Sequence, residues 1–102
     1  KYLIENNYRI LDQNYRSKIG EIDIIALYKN ILVIIEVKTR TSLNYGYPYE
    51  AVNKNKRNKI IKVSQVYLKE KQLRDVQLRY DIIEVYLTNN LRINHIENAF
   101  CQ

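Results

Sequence analysis

Acidic and basic residues interrupt two neighbouring β-forming runs of this 102-residue sequence, between positions 20 and 40. The first run carries Glu21 and Asp23, and the second carries Glu36 and Lys38. Because strand side chains alternate between two faces, each pair is expected to share one face of its strand. Burying such groups is costly unless they meet opposite charge, a metal ion or solvent. The pattern therefore indicates a site where three acids and a lysine could converge.

Asp23 precedes the tripeptide Glu36-Val37-Lys38 by thirteen positions, an arrangement that resembles the PD-(D/E)XK nucleases. Cleaving a phosphodiester needs a hard cation held by carboxylate oxygens, and Asp23 and Glu36 could supply these to Mg²⁺ or Mn²⁺. Lys38 would lie beside the attacking water, lower its pKa and offset charge that builds up on the phosphate. The alternative is a solvated strand edge, because Glu-x-Lys is common on exposed strands.

The elements that must position these groups follow from the hydrophobic pattern. Lys29-Asn30 separates the two runs and predicts a β-hairpin. The other predicted elements are the end of a helix that begins before Lys1, a strand at 8–15, a helix at 48–73, and strands at 77–88 and 91–96. This order predicts an α/β fold, a mixed β-sheet flanked by helices, in one domain over residues 1–102. With 46% hydrophobic residues, the chain is long enough for a single core.

The long helix predicted at 48–73 carries an apolar stripe with a lysine in its middle. At the 3.6-residue period this stripe comprises Val52, Lys56, Ile60, Val63 and Tyr67. Lys56 either snorkels past the helix edge or reaches the acidic cluster as a second cation. Pro48 suits a first helical position, and Glu50 lies where negative charge favours a helix N-terminus. Ile61 and Leu68 fall on the opposite face, which predicts a covering element or a partner chain.

Positive charge is concentrated in the segment 53–74. It holds eight basic residues and one acid, a local charge of +7, so the rest of a chain with net charge +6 carries −1. A basic segment beside an acidic cluster suits a polyanion that is held while one phosphate meets a metal. The alternative is a solvated helix face. The side chains expected to contact nucleic acid are those of Arg40, before this segment, and of Lys54, Lys56, Arg57, Lys59 and Lys62 within it.

Other chemistry receives less support from the sequence. The single cysteine, Cys101, excludes an intramolecular disulfide, and the single histidine, His95, argues against a zinc site. Asp81 is expected to pair with Arg79, and His95 to lie at the surface or be satisfied locally. No apolar run reaches membrane-spanning length and no signal-peptide pattern is present, so the expected location is the cytoplasm. Three alternating tyrosines could stack on unpaired bases or pack a loop over the sheet, namely Tyr45, Tyr47 and Tyr49.

Taken together, the motifs resemble the small bacterial YraN-type family, which is similar to archaeal Holliday-junction resolvases. The resemblance covers nearly the whole chain and rests on Gly20-Glu21-Ile22-Asp23, Glu36-Val37-Lys38-Thr39-Arg40, Glu50-Ala51-Val52, Lys56, Arg79-Tyr80-Asp81 and Ala99-Phe100. It implies a restriction-endonuclease-like core, with Asp23 and Glu36 as metal ligands and Lys38 as the catalytic lysine. It also places Arg40 and Lys56 near the site, with Glu21 and Glu50 as possible accessory acids. A further family glutamate would fall before Lys1.

Two functions of different class follow. The first is an Mg²⁺- or Mn²⁺-dependent endonuclease acting on DNA, including branched DNA. The second is a protein that keeps the fold and the basic surface but only binds nucleic acid. A third, structural assembly, would use the face carrying Ile61 and Leu68. The same two residues, with the similarity to resolvases, predict a two-fold homodimer.

Overall fold

The computed structural model describes residues 1–40, 53–87 and 91–101. The elements are α1 (Tyr2–Glu5), β1 (Arg9–Arg16), β2 (Glu21–Tyr28), β3 (Ile31–Arg40), α2 (Lys54–Glu70), β4 (Gln77–Tyr86) and β5 (Arg92–Phe100). The five strands form one sheet in the order β1-β2-β3-β4-β5. The β3–β4 pair is parallel and the other three pairs are antiparallel. This is the predicted α/β fold with a restriction-endonuclease-like core.

The β2–β3 hairpin forms where the two isoleucine-rich runs predicted it. Its ladder runs from Tyr28↔Ile31 at the turn to Ile24↔Ile35. The chain reverses over Lys29-Asn30, with Lys29 at a φ of 56°. A positive φ at the first residue of a two-residue turn matches the twist of the flanking strands. The hairpin therefore brings the acidic end of β2 beside the Glu36-Val37-Lys38 segment of β3.

The helix α2 begins and ends inside the predicted span. Asn53 is extended, with a ψ of 173°, and its side chain accepts a hydrogen bond of 2.9 Å from the Lys56 N–H. That N-cap starts α2 at Lys54, within the predicted span 48–73. At the other end, Gln72 has a φ of 56° and the Leu73 N–H bonds to the Leu68 carbonyl, which ends the helix.

Several sequence predictions lie outside the described residues. These are the first helical position of Pro48, the roles of Glu50 and Val52, the turn at Asn89-Asn90, and the tyrosines Tyr45, Tyr47 and Tyr49.

The strand β5 is longer than the predicted segment 91–96 and reaches Phe100. Its pairing with β4 shifts between Ile82↔Ile96 and Tyr80↔Phe100, and Asn98 has a φ of 53° in that irregular stretch. The Asn98 N–H donates a 3.0 Å hydrogen bond to Asp81, which satisfies the backbone where the ladder is broken. A bulge of this kind lets the strand continue past the predicted end.

The core has one apolar cluster on each face of the sheet. The cluster under α2 includes Ile22, Ile25, Ile34, Ile60, Val63 and Tyr67, and the cluster on the α1 face includes Leu3, Tyr8, Val33, Ile35 and Ile83. Ile61 and Leu68 pack against the first cluster, so the prediction that they face away from the sheet is wrong. The reason is that fully buried Ser64 lies at the centre of the contact, with Ile61 and Leu68 three and four residues from it on the same helix face. The expected homodimer stays a prediction, without this support.

Candidate active site

Asp23 lies where β2 and β3 separate. Beyond the Ile24↔Ile35 pair, Asp23 Oδ2 accepts a hydrogen bond of 2.8 Å from the backbone N–H of Val37. A side chain thus takes the place of a ladder bond, and the Asp23 carboxylate is held beside the residues that flank Val37. The side-chain alternation of β2 is interrupted here, because Ile22 and Ile25 both belong to the core cluster under α2.

Glu36 is the buried acid of the site, and two lysines converge on one of its oxygens. Lys56 Nζ lies 3.0 Å from Glu36 Oε1, and Lys38 Nζ lies 3.9 Å from the same atom. Lys38 comes from the same strand face as Glu36, two residues on, whereas Lys56 reaches down from the first turn of α2. Of the two alternatives for Lys56, the structure therefore shows the one in which it joins the acidic cluster.

The charged groups of this cluster shift one another's pKa values. Burial raises the pKa of Glu36, and Asp23 adds to this increase, while the ammonium groups of Lys56 and Lys38 oppose it. Burial lowers the pKa of Lys38, and neighbouring Lys56 lowers it further. The pKa of Lys56 is raised, first by its hydrogen bond with Lys38 and then by Glu36, against the effect of burial. Lys38 is therefore the lysine that gives up its proton first.

The donor set fits a hard divalent cation. Asp23 and Glu36 offer carboxylate oxygens, and the raised pKa of Glu36 shows that the two lysines only partly offset the effects of burial and of Asp23 on that carboxyl group. Among residues 1–40, 53–87 and 91–101, no group of three or more acidic, histidine or cysteine side chains could enclose a metal. Mg²⁺ commonly binds one or two carboxylates and completes its shell with water and substrate phosphate.

Glu21, expected in the acidic cluster, forms an ion pair with an arginine of β1 instead. Arg16 Nε lies 3.0 Å from Glu21 Oε2, and the two residues are paired across β1 and β2. Both side chains are largely exposed. The cluster of three acids and one lysine considered from the sequence is thus, in the structure, a cluster of Asp23 and Glu36 with Lys38 and Lys56.

The basic side chains of α2 divide between two helix faces. Lys56 and Arg57 are half-buried, and the Arg57 guanidinium lies 5.7 Å from the centre of the Phe100 ring. Lys54, Lys59 and Lys62 are exposed. Since one residue turns the helix by about 100°, Lys54 and Lys62 lie opposite the buried stripe. The exposed lysines form a basic outer surface, whereas Lys56 belongs to the site.

Sequence reasoning missed one charged residue beside the site, Glu84 on β4. Its side chain is 1% exposed, and Arg40 Nε lies 3.5 Å from Glu84 Oε2. The signal that could have found it is the one that drew attention to Glu36, an acid inside an apolar β-forming run. Arg40, expected near the site, is therefore held by a buried carboxylate.

A separate polar cluster on the α1 face is structural. The predicted Arg79–Asp81 pair is present, with Arg79 Nε and Nη2 donating to the two Asp81 oxygens at 2.9 and 2.8 Å. His95 is 7% exposed and bonds to Asp81 and to the Tyr2 hydroxyl, so it is satisfied locally. Arg79 also donates to the Tyr8 hydroxyl. Each charged group of this cluster has a partner, and none faces Glu36.

The comparison with known proteins now decides the family. The sequence model described as "Uncharacterised protein family UPF0102" matches residues 1–85 of the chain. The chain belongs to the UPF0102 family. The resemblance to YraN-type proteins drawn from the motifs is thereby confirmed.

Similar UPF0102 proteins cover almost the full length of this one. A UPF0102 protein of Caldanaerobacter subterraneus is 52% identical over 104 residues, which cover 98% of this chain and 85% of the relative. A UPF0102 protein of Alkaliphilus oremlandii is 51% identical, with 97% of this chain and 87% of the relative covered. A third, from Clostridium beijerinckii, is 48% identical, with 98% and 84% covered.

No membrane-spanning helix is present in the part of this UPF0102 protein that the structure describes, because neither helix there is long and apolar enough to cross a bilayer.

Proposed function

We propose that this UPF0102 protein is an Mg²⁺- or Mn²⁺-dependent endonuclease that hydrolyses phosphodiester bonds of DNA, including branched DNA. The observation that carries the proposal is the position of Glu36, a buried carboxylate beside Asp23 with two lysine ammonium groups directed at it. Two acids and two lysines at the point where strands separate supply the charges that phosphate hydrolysis requires.

Each residue of the cluster has a distinct task in the proposed reaction. Asp23 and Glu36 would hold the divalent cation, which polarises the phosphate and makes a water more acidic. The hydrogen bond from Val37 fixes the orientation of the Asp23 carboxylate. Lys38 would lie beside the attacking water, where its ammonium positions the water and lowers its pKa. Lys56 keeps its proton and offsets the negative charge that develops on the phosphate oxygens.

Cleavage assays with purified protein test the proposal. Supercoiled plasmid and a synthetic branched DNA should be cut with Mg²⁺ or Mn²⁺ and left intact with EDTA. Lys38→Ala should abolish cleavage while circular dichroism and the unfolding midpoint stay close to those of the unmodified protein. Lys18→Ala is the matched control, because Lys18 is an exposed lysine in the turn between β1 and β2.

The same assays separate catalysis from binding alone. A protein that binds both DNAs but cuts neither with any divalent metal would favour the alternative, a non-catalytic nucleic-acid-binding function. Cleavage that survives Lys38→Ala would remove Lys38 from the mechanism and assign any activity to other groups.

A further inference from the structure

The buried carboxylate of Glu84 lies one strand away from the candidate active site. In the sheet, Glu84 is aligned with Lys38 on β3 and with Asn94 on β5. A buried charge needs hydrogen-bonding partners, and Glu84 has them on both oxygens. The Tyr86 hydroxyl and Asn94 Nδ2 donate to Oε1 at 2.9 and 3.0 Å, and Arg40 contacts Oε2. Glu84 thus holds three side chains in fixed positions.

These side chains lie at the edge of the sheet where the parallel strands end. Arg40 and Tyr86 are the last residues of β3 and β4, and they are aligned with each other. Tyr86 is also aligned with Arg92, the first residue of β5. Aligned residues share a sheet face, so an aromatic ring lies between two arginines on the face that carries Lys38. Ligands of α/β proteins commonly bind outside such carboxyl ends of strands.

A pocket of about 340 Å³ opens beside these aligned side chains. It is lined by Tyr86, Arg92, Ile93 and Asn94. We call it the Tyr86 pocket. Its volume suits a small organic ligand. Arg92 is exposed, and the structure pairs it with no acid within the described residues. A guanidinium suits a phosphate, and a half-exposed tyrosine ring suits a stacked base.

Asn94 adds a group that can read a base edge. A carboxylate can only accept hydrogen bonds, so the amide nitrogen of Asn94 is the atom that faces Glu84. Its amide oxygen is left as an acceptor and, among the residues that the structure covers, has no protein partner. An acceptor beside an aromatic ring and an arginine is the combination expected for a nucleotide.

We propose that the Tyr86 pocket is a nucleotide subsite, which binds the phosphate and the unpaired base of the nucleotide next to the scissile phosphate. Arg40 and Arg92 contact the phosphate, Tyr86 stacks on the base, and Glu84 is the positioning residue of the pocket. The inference rests on the proposed nuclease function, because Lys38 defines where the scissile phosphate lies. Two strand residues span about 6.6 Å, so Arg40 lies roughly one nucleotide beyond Lys38.

This subsite defines a class of substrate. A base can enter the Tyr86 pocket only if it is out of the duplex stack, so the preferred DNA has an unpaired nucleotide at the point of cleavage. Single strands, flaps and branch points meet this condition, whereas an intact blunt duplex does not. The negative charge of Glu84 does not repel the strand, because Arg40, Tyr86 and Asn94 cover it.

Fluorescence anisotropy in EDTA tests the subsite without any cleavage. The probes are a short fluorescein-labelled single-stranded DNA and the blunt duplex of the same sequence. Tyr86→Leu and Arg92→Gln should each weaken binding of the single strand by about tenfold, the loss of one stacked base or one anchored phosphate. Binding of the duplex should change by less than about twofold, since its bases stay outside the pocket.

Matched controls come from the opposite edge of the sheet. Tyr15 on β1 is also a half-buried strand tyrosine that donates to a glutamate, Glu70, and Arg9 is the exposed first residue of an edge strand. Tyr15→Leu and Arg9→Gln should leave single-strand binding unchanged. Equal losses on both probes, or no loss on the single strand, would overturn the proposal.

The positioning role of Glu84 has its own readout. Glu84→Gln keeps the size of the side chain, and it should raise KM for a flap DNA while leaving kcat unchanged, because the reacting groups are untouched. If this variant does not fold, Tyr86→Leu and Arg92→Gln still decide the question. Failure of the nuclease proposal is seen separately, as no cleavage of DNA by the unmodified protein. Selective binding of the single strand would then still support a nucleotide site in the Tyr86 pocket, but without a scissile phosphate beside it.

Discussion

Lys56 Nζ lies 3.0 Å from Glu36 Oε1, so a residue of α2 completes a charged cluster whose other members come from β2 and β3. The contact joins the basic segment of the chain to its acidic pair. It also explains why a lysine occupies the middle of an otherwise apolar helix stripe. The site is therefore assembled by the packing of the helix on the sheet.

The first prediction concerns this contact. Lys56→Gln should lower kcat by about 10²- to 10³-fold, because it removes a cation that offsets charge in the transition state. KM should change little. Lys69→Gln is the control, since Lys69 is exposed and lies in the last turn of the same helix. Equal kinetics for the two variants would exclude Lys56 from the reaction, and a change in KM alone would assign it to binding.

Asp23 can be tested through its two separate tasks. Asp23→Asn keeps an oxygen that can accept the Val37 hydrogen bond but removes the charge, so stability should hold while Mn²⁺ affinity and cleavage fall. Asp23→Ala should also lose about 1 kcal/mol of stability, because the Val37 N–H loses its partner. Calorimetric Mn²⁺ titration and urea unfolding measure these effects. Unchanged Mn²⁺ affinity in Asp23→Asn would exclude Asp23 as a ligand.

The acid stability of the protein should depend on Asp81. Burial favours a higher pKa for Asp81, but hydrogen bonds from His95, Arg79 and the Asn98 N–H outweigh it and hold the pKa below its usual value. The ionised Asp81 carboxylate therefore stabilises the fold above the pKa of an unfolded aspartate, about 3.9. This contribution is lost as the pH falls through the lower pKa of Asp81 in the folded protein.

The measurement is the free energy of unfolding in urea between pH 7 and pH 2, which extends below the unfolded pKa of Asp81. The unmodified protein should lose stability steeply toward the acid end. The double variant Arg79→Met/Asp81→Asn removes the charge pair and should show a shallower loss. Arg79→Met alone should be destabilised by about 3–5 kcal/mol at pH 7, because it leaves a buried carboxylate without its guanidinium. Parallel pH curves for the unmodified protein and the double variant would contradict this account.

The exposed lysines of α2 should contribute phosphate contacts without sequence preference. Changing Lys54, Lys59 and Lys62 to Gln should weaken duplex binding for all sequences alike and reduce the log–log salt slope by about 0.9 per lost contact. The control changes Lys69, Lys71 and Arg74, near the other end of the helix, to Gln. A salt slope that falls only in the control would place the DNA surface at that other end.

Much of the fold could be predicted because local signals agreed. Two isoleucine-rich runs around Lys29-Asn30 can form little other than a hairpin, and the long helical connection after them permits a parallel pair. Asp23, Glu36 and Lys38 were found for a related reason, since charge inside a strongly β-forming run is costly.

The rest depended on tertiary packing. The apolar stripe of a helix does not show how much of the helix surface will be covered by the sheet. The burial of Ser64 brings Ile61 and Leu68 against the core cluster. The start of α2 at Lys54 depends on the side-chain cap of Asn53, which the sequence analysis did not consider. Glu84 itself could have been found as an acid inside a β-forming run, but its partners could not, because the pairing of β4 between β3 and β5 is not visible in the sequence.

A crystal structure with bound Mn²⁺ tests the central claim most directly. Crystals of the protein grown or soaked with Mn²⁺ should show an anomalous difference peak between Asp23 and Glu36, with carboxylate oxygens at about 2.0–2.2 Å. The same soak of Asp23→Asn crystals should lose the peak. A peak at another position, or none between these two carboxylates in the unmodified protein, would contradict the proposed metal-dependent nuclease.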